Sequence, residues 1–235
     1  MNIQYFKDEE QLALNAADLI VAEIKRKPNL LLGVATGNTP TATYRKMVEN
    51  LKNEETTQLR ILKLDEWGGV SMSNQETCEQ YLQKQILKPL QISKERYFGF
   101  NSNPKNPIQE TERIQEILKR EKPIDFCVLG LGLNGHIAFN EPANKLIPHC
   151  HVAHLSENSM QHSMAIQMKE KPTYGLTLGM VDILQSKTIL ILITGNHKKE
   201  ITKTFLSKEI TTQIPASFLW LHQKVHCFVD KAVLE

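Results

Sequence analysis

The sequence predicts an α/β fold, with helices layered on a mostly parallel sheet. Two observations carry that expectation. Apolar runs recur along the chain and alternate with segments of helical periodicity. Several of these runs are apolar almost without a break, the pattern of strands covered on both faces. Alternation of this kind joins parallel strands through right-handed crossovers.

The elements follow in order. Leu12, Ala16, Leu19, Ile20 and Ile24 mark one face of a first helix. "LLLGVA" (residues 30–35) reads as a strand. A second helix follows, opened by Pro40 and marked by Met47, Val48 and Leu51. "RILKLDE" (60–66) is the next strand. Tyr81, Leu82, Ile86 and Leu87 mark a third helix, which Pro89 ends. Ile114, Ile117 and Leu118 mark a fourth, ending near Pro123. "FCVLGLG" (126–132), "TILILIT" (188–194) and "HCFVD" (226–230) complete the strands. "NSNPKNP" (101–107) is a loop too short to serve as a linker between domains, so residues 1–235 read as one domain.

Composition narrows the class. The net charge of +2 and scattered lysines give no footprint for nucleic acid. The four cysteines, Cys78, Cys127, Cys150 and Cys227, form no CxxC pair, so neither a zinc ribbon nor a dithiol site is expected. Cys127 lies in a strand run and reads as a buried thiol. No apolar stretch is long enough for a membrane span, and a cytoplasmic protein is expected.

Open α/β sheets bind ligands beyond the carboxyl ends of their strands, so the residues there are the ones to read. After residues 30–35 comes "TGNTPTATY". Gly37 permits a tight turn, Thr39 suits an N-cap and Pro40 the first helical position. A helix start here would offer free N–H groups to a phosphate, though the GKS/T ending of a P-loop is missing. After residues 188–194, Lys198 and Lys199 would open a helix whose dipole they oppose; a bound anion would remove that conflict for either. After residues 60–64, Asp65 and Glu66 stand beside Gly68 and Gly69 and are general-base candidates. After residues 126–132 comes "LNGHIAFNEP". Gly130, Gly132 and Gly135 have dinucleotide-turn spacing, but Ile137, Phe139 and Pro142 argue against the helix such a turn requires. His136 and Glu141 read instead as an acid/base pair on an ordered loop.

"GVATGNTPTATY", "KLDEWGG", "GLGLNGHIAFNEP", "YGLTLG", "LITGNHK" and "IPASFLWLH" follow the order and spacing of the glucosamine-6-phosphate deaminase/isomerases, and the chain resembles that family over essentially its whole length. "LDEWGG" and "PASFLWLH" look closest to the galactosamine-6-phosphate isomerase branch. The resemblance implies a three-layer sandwich, Rossmann-like, of the sugar-phosphate isomerase type. It implies an amino-sugar phosphate as small-molecule substrate, converted to a ketose phosphate and ammonia without metal or organic cofactor. A homo-oligomer stays open. Thr36, Gly37, Asn38, Thr39 and Lys198 would grip the phosphate. Asp65 would move the proton between C2 and C1, His136 would assist ring opening, and Glu141 would tune and orient His136. The related 6-phosphogluconolactonases continue their loop as "DGHTASLFP", without the carboxylate that stands here as Glu141. A lactonase and a non-catalytic sugar-phosphate binder are the alternatives.

The chain departs from the family's pattern in three places. Asn134 stands where well-known members have aspartate, and its neutral hydrogen bond stabilises an imidazolium less than a carboxylate would. His136 is then expected to rely on Glu141. The segment "ANKLIPHCHVAHL" holds no arginine, so no allosteric activation by an N-acetylated sugar phosphate is expected there. Residues 156–172, polar and Met-rich, cover the region where some members place a phosphate-binding arginine. A mobile lid and a plain surface helix both fit that composition.

Overall fold

Side chains along the buried strands point alternately to two faces, and this alternation builds the layers. The computed structural model describes residues 1–121 and 123–234. In chain order the strands are β1 (Asn2–Phe6), β2 (Leu31–Val34), β3 (Arg60–Lys63), β4 (Asp65–Gly68), β5 (Tyr97–Phe98), β6 (Phe126–Gly130), β7 (His151–Ala153), β8 (Tyr174–Thr177), β9 (Thr188–Ile193) and β10 (Val225–Asp230). The helices are α1 (Glu9–Arg26), α2 (Asn38–Asn50), α3 (Cys78–Leu82), α4 (Pro107–Glu121), α5 (Glu157–Met160), α6 (Ser163–Gln167), α7 (Met180–Leu184) and α8 (Lys199–Leu206).

Seven strands form one sheet in the order β1-β10-β9-β6-β2-β3-β5, with every neighbouring pair parallel. Leu31, Ile189, Ile191 and Ile193 face one side and pack with Ile114, Leu118, Ile183 and Phe205 from α4, α7 and α8. Leu32, Val34, Leu190 and Leu192 face the other and pack with Leu12, Ile20 and Ile24 of α1 and Tyr44 and Met47 of α2. Each such buried side chain contributes roughly 1.5–3 kcal/mol. The expected α/β sandwich is therefore present, with a core on each face of the sheet.

Strand order sets where a ligand can enter. From β2 the chain moves outward through β3 and β5, then returns to β6 and moves the other way through β9 and β10. The direction reverses between β2 and β6, and a crevice opens beyond their carboxyl ends.

The expected single strand over residues 60–66 is two strands. Leu64 is the pivot: its N–H still bonds Val34 O at 3.4 Å, while its carbonyl accepts Leu178 N at 2.9 Å. Beyond it β4 joins a small antiparallel sheet, β4-β8-β7, with Asp65 opposite Thr177. The change of partner leaves no trace in the hydropathy pattern. The third expected helix is also divided, into α3 and a π-helical turn Gln83–Leu87. β1 is an edge strand with one buried residue, Phe6, and so carries little apolar pattern in the sequence. No helix among the described residues is long and apolar enough to cross a membrane.

Candidate active site

The turn from β2 into α2 is held from behind by Tyr44, whose hydroxyl donates to Ala35 O at 2.8 Å. Gly37 has φ +107° and is itself the N-cap, with no side chain capping the first turn. Thr39 is therefore not the cap expected from sequence, nor Pro40 the first helical residue; the helix begins two residues earlier, at Asn38. The Thr39 hydroxyl instead accepts from Lys198 Nζ at 3.2 Å.

Lys198 ends a 3-10 turn, Asn196–Lys198, and is buried; Lys199 begins α8. No carboxylate lies within ion-pair distance of Lys198 among the described residues. Burial pushes its ammonium down to about 8, against a weak opposing pull from Glu9. A buried cation with one hydroxyl partner and no counter-charge is costly to keep.

Asp65 and Glu66 are neighbours with different surroundings. Glu66 is fully buried and saturated: it accepts from Trp67 N at 2.8 Å, Cys78 N at 3.0 Å, Glu79 N at 2.8 Å and Lys63 Nζ at 2.7 Å. Lys63 also reaches Glu79 at 3.0 Å. Glu66 thus anchors the start of α3 from inside the core. Asp65 faces the crevice instead. Burial, then the charge of Glu66, pushes its carboxyl up to about 7, against His136, Lys63 and Cys78. Cys78 Sγ lies 3.9 Å from Asp65 Oδ1 and receives the Thr36 hydroxyl at 3.1 Å. Of the two carboxylates considered from sequence, Asp65 lines the cavity and Glu66 does not.

No helix follows β6, as Pro142 led one to expect. Gly132 N instead donates to His136 O at 3.0 Å, closing a compact loop. A Cβ on Gly132 would collide with the His136 ring, so this glycine serves the imidazole rather than a pyrophosphate. Asn134 Oδ1 lies 2.7 Å from His136 Nδ1, and Asn134 Nδ2 donates to Glu141 Oε2 at 2.8 Å. The donor bond to a carboxylate fixes the amide's orientation, so its oxygen must accept from Nδ1–H. That leaves Nε2 as the nitrogen available for chemistry. Glu141 Oε2 is itself 3.5 Å from His136 Nδ1. Burial alone would raise the Glu141 carboxyl, but bonds and charge from His136, with Ser159 and Asn134, hold it down to about 2. Glu141 therefore stays ionised beside the ring.

Residues 156–167 do not form the single plain surface helix that was one of the two expectations. Two short helices, α5 and α6, bury Ser159, Met164 and Ala165 and touch both halves of the site. Ser159 donates its hydroxyl to Glu141 Oε1, and Asn38 Nδ2 donates to Ser163 Oγ at 3.3 Å. His162 lies between these contacts, its ring centroid 6.1 Å from that of Trp67.

One cavity of about 560 Å³ collects Thr36, Gly37, Asn38, Thr39, Asp65, His136 and Lys198 on its wall. Asn134 and Glu141 stand behind His136 rather than on the wall. Cys78, Ser159 and His162, none singled out from sequence as site residues, belong to the same assembly. Their places depend on the small sheet and the 156–167 segment, and no local spacing signals them. Among the described residues no three His, Cys, Asp or Glu side chains are grouped as metal ligands.

Residues 7–228 match the family model described as glucosamine-6-phosphate isomerases/6-phosphogluconolactonase. The protein AgaI of Escherichia coli (strain K12) is 38% identical over 230 residues, covering 97% of this chain and 91% of that protein. The glucosamine-6-phosphate deaminase of Bacillus pumilus (strain SAFR-032) is 33% identical over 235 residues, covering 98% of each. Among solved structures, a monomeric glucosamine-6-phosphate deaminase superposes with a TM-score of 0.94 at 31% identity, with full coverage of both chains. The 6-phosphogluconolactonase of Trypanosoma brucei superposes at 0.76 with 21% identity, a likeness of fold. By sequence and by architecture, the chain belongs to the family of glucosamine-6-phosphate isomerases and 6-phosphogluconolactonases.

Proposed function

We propose that this protein converts an amino-sugar 6-phosphate, galactosamine 6-phosphate or glucosamine 6-phosphate, into the ketohexose 6-phosphate and ammonia. One observation carries the reading: Asp65, His136 and Lys198, brought from beyond three different strands, line a single cavity. The named deaminases similar to this chain over its full length support it.

The residues divide the work by their chemistry. Lys198 and the turn at residues 36–39 hold the phosphate, which takes no part in bond making. Its binding energy places C1 and C2 against the reactive side chains. His136 Nε2 accepts the C1 hydroxyl proton and returns a proton to the ring oxygen, so the C1–O5 bond breaks and an open-chain aldehyde forms. Glu141 and Asn134 support the imidazolium through Nδ1.

Asp65 then takes the C2 proton while the C2 ammonium gives up a proton to the C1 oxygen, leaving an enolamine across C1 and C2. Returning that proton to C1 gives a C2 iminium. Water adds to the iminium carbon, and ammonia leaves as the ketone forms. A carboxyl poised at about 7 can both take and give a proton near neutrality, as this step requires.

The test is ammonia release and ketose formation with both amino-sugar phosphates side by side. Turnover of either is expected, and the ratio of kcat/KM assigns the epimer. Release from neither overturns the reading. Hydrolysis of 6-phosphogluconolactone that survives Asp65→Asn would put a lactonase in its place.

A further inference from the structure

We propose that His162 is a phosphate-binding residue of this cavity, its Nε2–H meeting the substrate's phosphate together with Lys198. The proposal rests on the reading of the cavity as a sugar-phosphate site and assigns a contact to a segment, residues 156–172, that lacks the arginine some members use there.

The tautomer comes first. His162 is the N-cap of α6, and its Nδ1 accepts from Met164 N at 3.3 Å. A nitrogen that accepts carries no proton, so the neutral ring holds its proton on Nε2. That nitrogen has no hydrogen-bond partner among the described residues.

The position follows. A Cβ built on Gly37 would lie 3.1 Å from His162 Nε2, so the free donor stands directly over the turn that opens α2. Asn38 Nδ2 to Ser163 Oγ, at 3.3 Å, ties the next residue of each segment together. The donor is thus held against the α2 N-terminus, where the helix dipole favours negative charge.

The surroundings point to the same ligand. Burial, then the charges of His136 and Lys198, press the His162 ring towards its neutral form. Trp67 covers one side and carries no charge. Glu9 reaches Lys198 only through space. Lys198 and His162 are therefore two donors with unfilled capacity beside one helix start, the first at Thr39 and the second at Gly37. A tetrahedral anion fits both; a neutral hydroxyl would leave the buried ammonium without a counter-charge.

Calorimetric titration with inorganic phosphate tests the assignment. His162→Ala is expected to weaken phosphate binding roughly 10–100-fold, as for a lost hydrogen bond to a charged group. His162→Asn separates contact from cap: asparagine can still accept from Met164 N, but its shorter side chain withdraws from the turn. It is expected to bind phosphate as weakly as the alanine variant. Wild-type affinity in either variant, or no phosphate binding by the wild-type protein, overturns the proposal. The function reading is separated by a second readout. Unchanged phosphate affinity in His162→Ala, with ammonia released by the wild type, removes His162 alone. His162-dependent phosphate binding without ammonia release removes the deaminase reading and leaves the phosphate site.

Discussion

Asn134 Oδ1 stands 2.7 Å from His136 Nδ1, and this contact decides which nitrogen of the imidazole meets the cavity. The other end of the same amide bonds Glu141, 2.8 Å away. Asparagine thus acts as a polar bridge between base and carboxylate. Asn134→Leu removes the bridge and leaves Nδ1–H dependent on Glu141 at 3.5 Å. Turnover is expected to fall roughly 10–100-fold with little change in KM, the scale of an unpaired buried polar group. Asn134→Asp keeps the acceptor for Nδ1 but replaces the donor to Glu141 with like charge. The Glu141 carboxyl, now about 2, is expected to rise, and a pH–rate profile would show its titration moving towards neutrality.

Asp65 carries a stability consequence opposite to its proposed catalytic use. Its carboxyl is raised from an ordinary 3.8 to about 7 by the fold, so the folded state binds more protons than the unfolded state between those values. Folding stability from this group is present below about 4 and is lost as pH rises through 7. Asp65→Asn is expected to cost roughly 10²–10⁴-fold in turnover while substrate still binds. The same variant is expected to be more stable than wild type at pH 8, by on the order of 2–4 kcal/mol, with the difference closing towards pH 4. Denaturant melts at the two pH values check the sign.

Lys198 is expected to make the protein responsive to phosphate. Its ammonium is lowered to about 8 from 10.5 by burial, so the penalty on folding is fully present below pH 8 and fades as pH climbs towards 10.5. A bound phosphate would supply the missing counter-charge. Inorganic phosphate at 100 times its Kd is expected to stabilise the wild type by about 2.7 kcal/mol. Lys198→Met is expected to lose most of that response and to raise KM, leaving kcat less affected. Thermal melts with and without phosphate measure the first, steady-state kinetics the second.

Lys63 is expected to be the most sensitive position outside the cavity. It is fully buried between Glu66 and Glu79, at 2.7 and 3.0 Å. Lys63→Met would leave Glu66 buried without its cation, a loss of about 3–5 kcal/mol in urea unfolding. Residual activity should also need higher pH, because Lys63 is one of the groups holding Asp65 down.

The layers were legible where burial is two-sided. β2, β6, β9 and β10 lie within a residue or two of the apolar runs that announced them. Site residues were legible where a glycine turn or charge follows such a strand, which covers Gly37, Asp65, His136 and Lys198. What local pattern could not carry was a change of partner. Leu64 passes the chain from one sheet to another without a break in hydropathy. His162 and Ser159 reach the cavity only because residues 156–167 fold back across it. Thr39 had the chemistry of a cap, but a glycine at φ +107° ended the turn first.

Asp65 and Glu66 owe their separate fates to the pleat of one short strand, which points successive side chains in opposite directions. A slip of one residue would exchange them, aiming the lysine-anchored carboxylate into the cavity and the proposed base into the core. The protein should therefore tolerate many replacements near Leu64 better than any change of length there. A one-residue insertion or deletion between β3 and β4 would rewire the site while leaving its composition untouched, and variant libraries in this segment are best built at constant length.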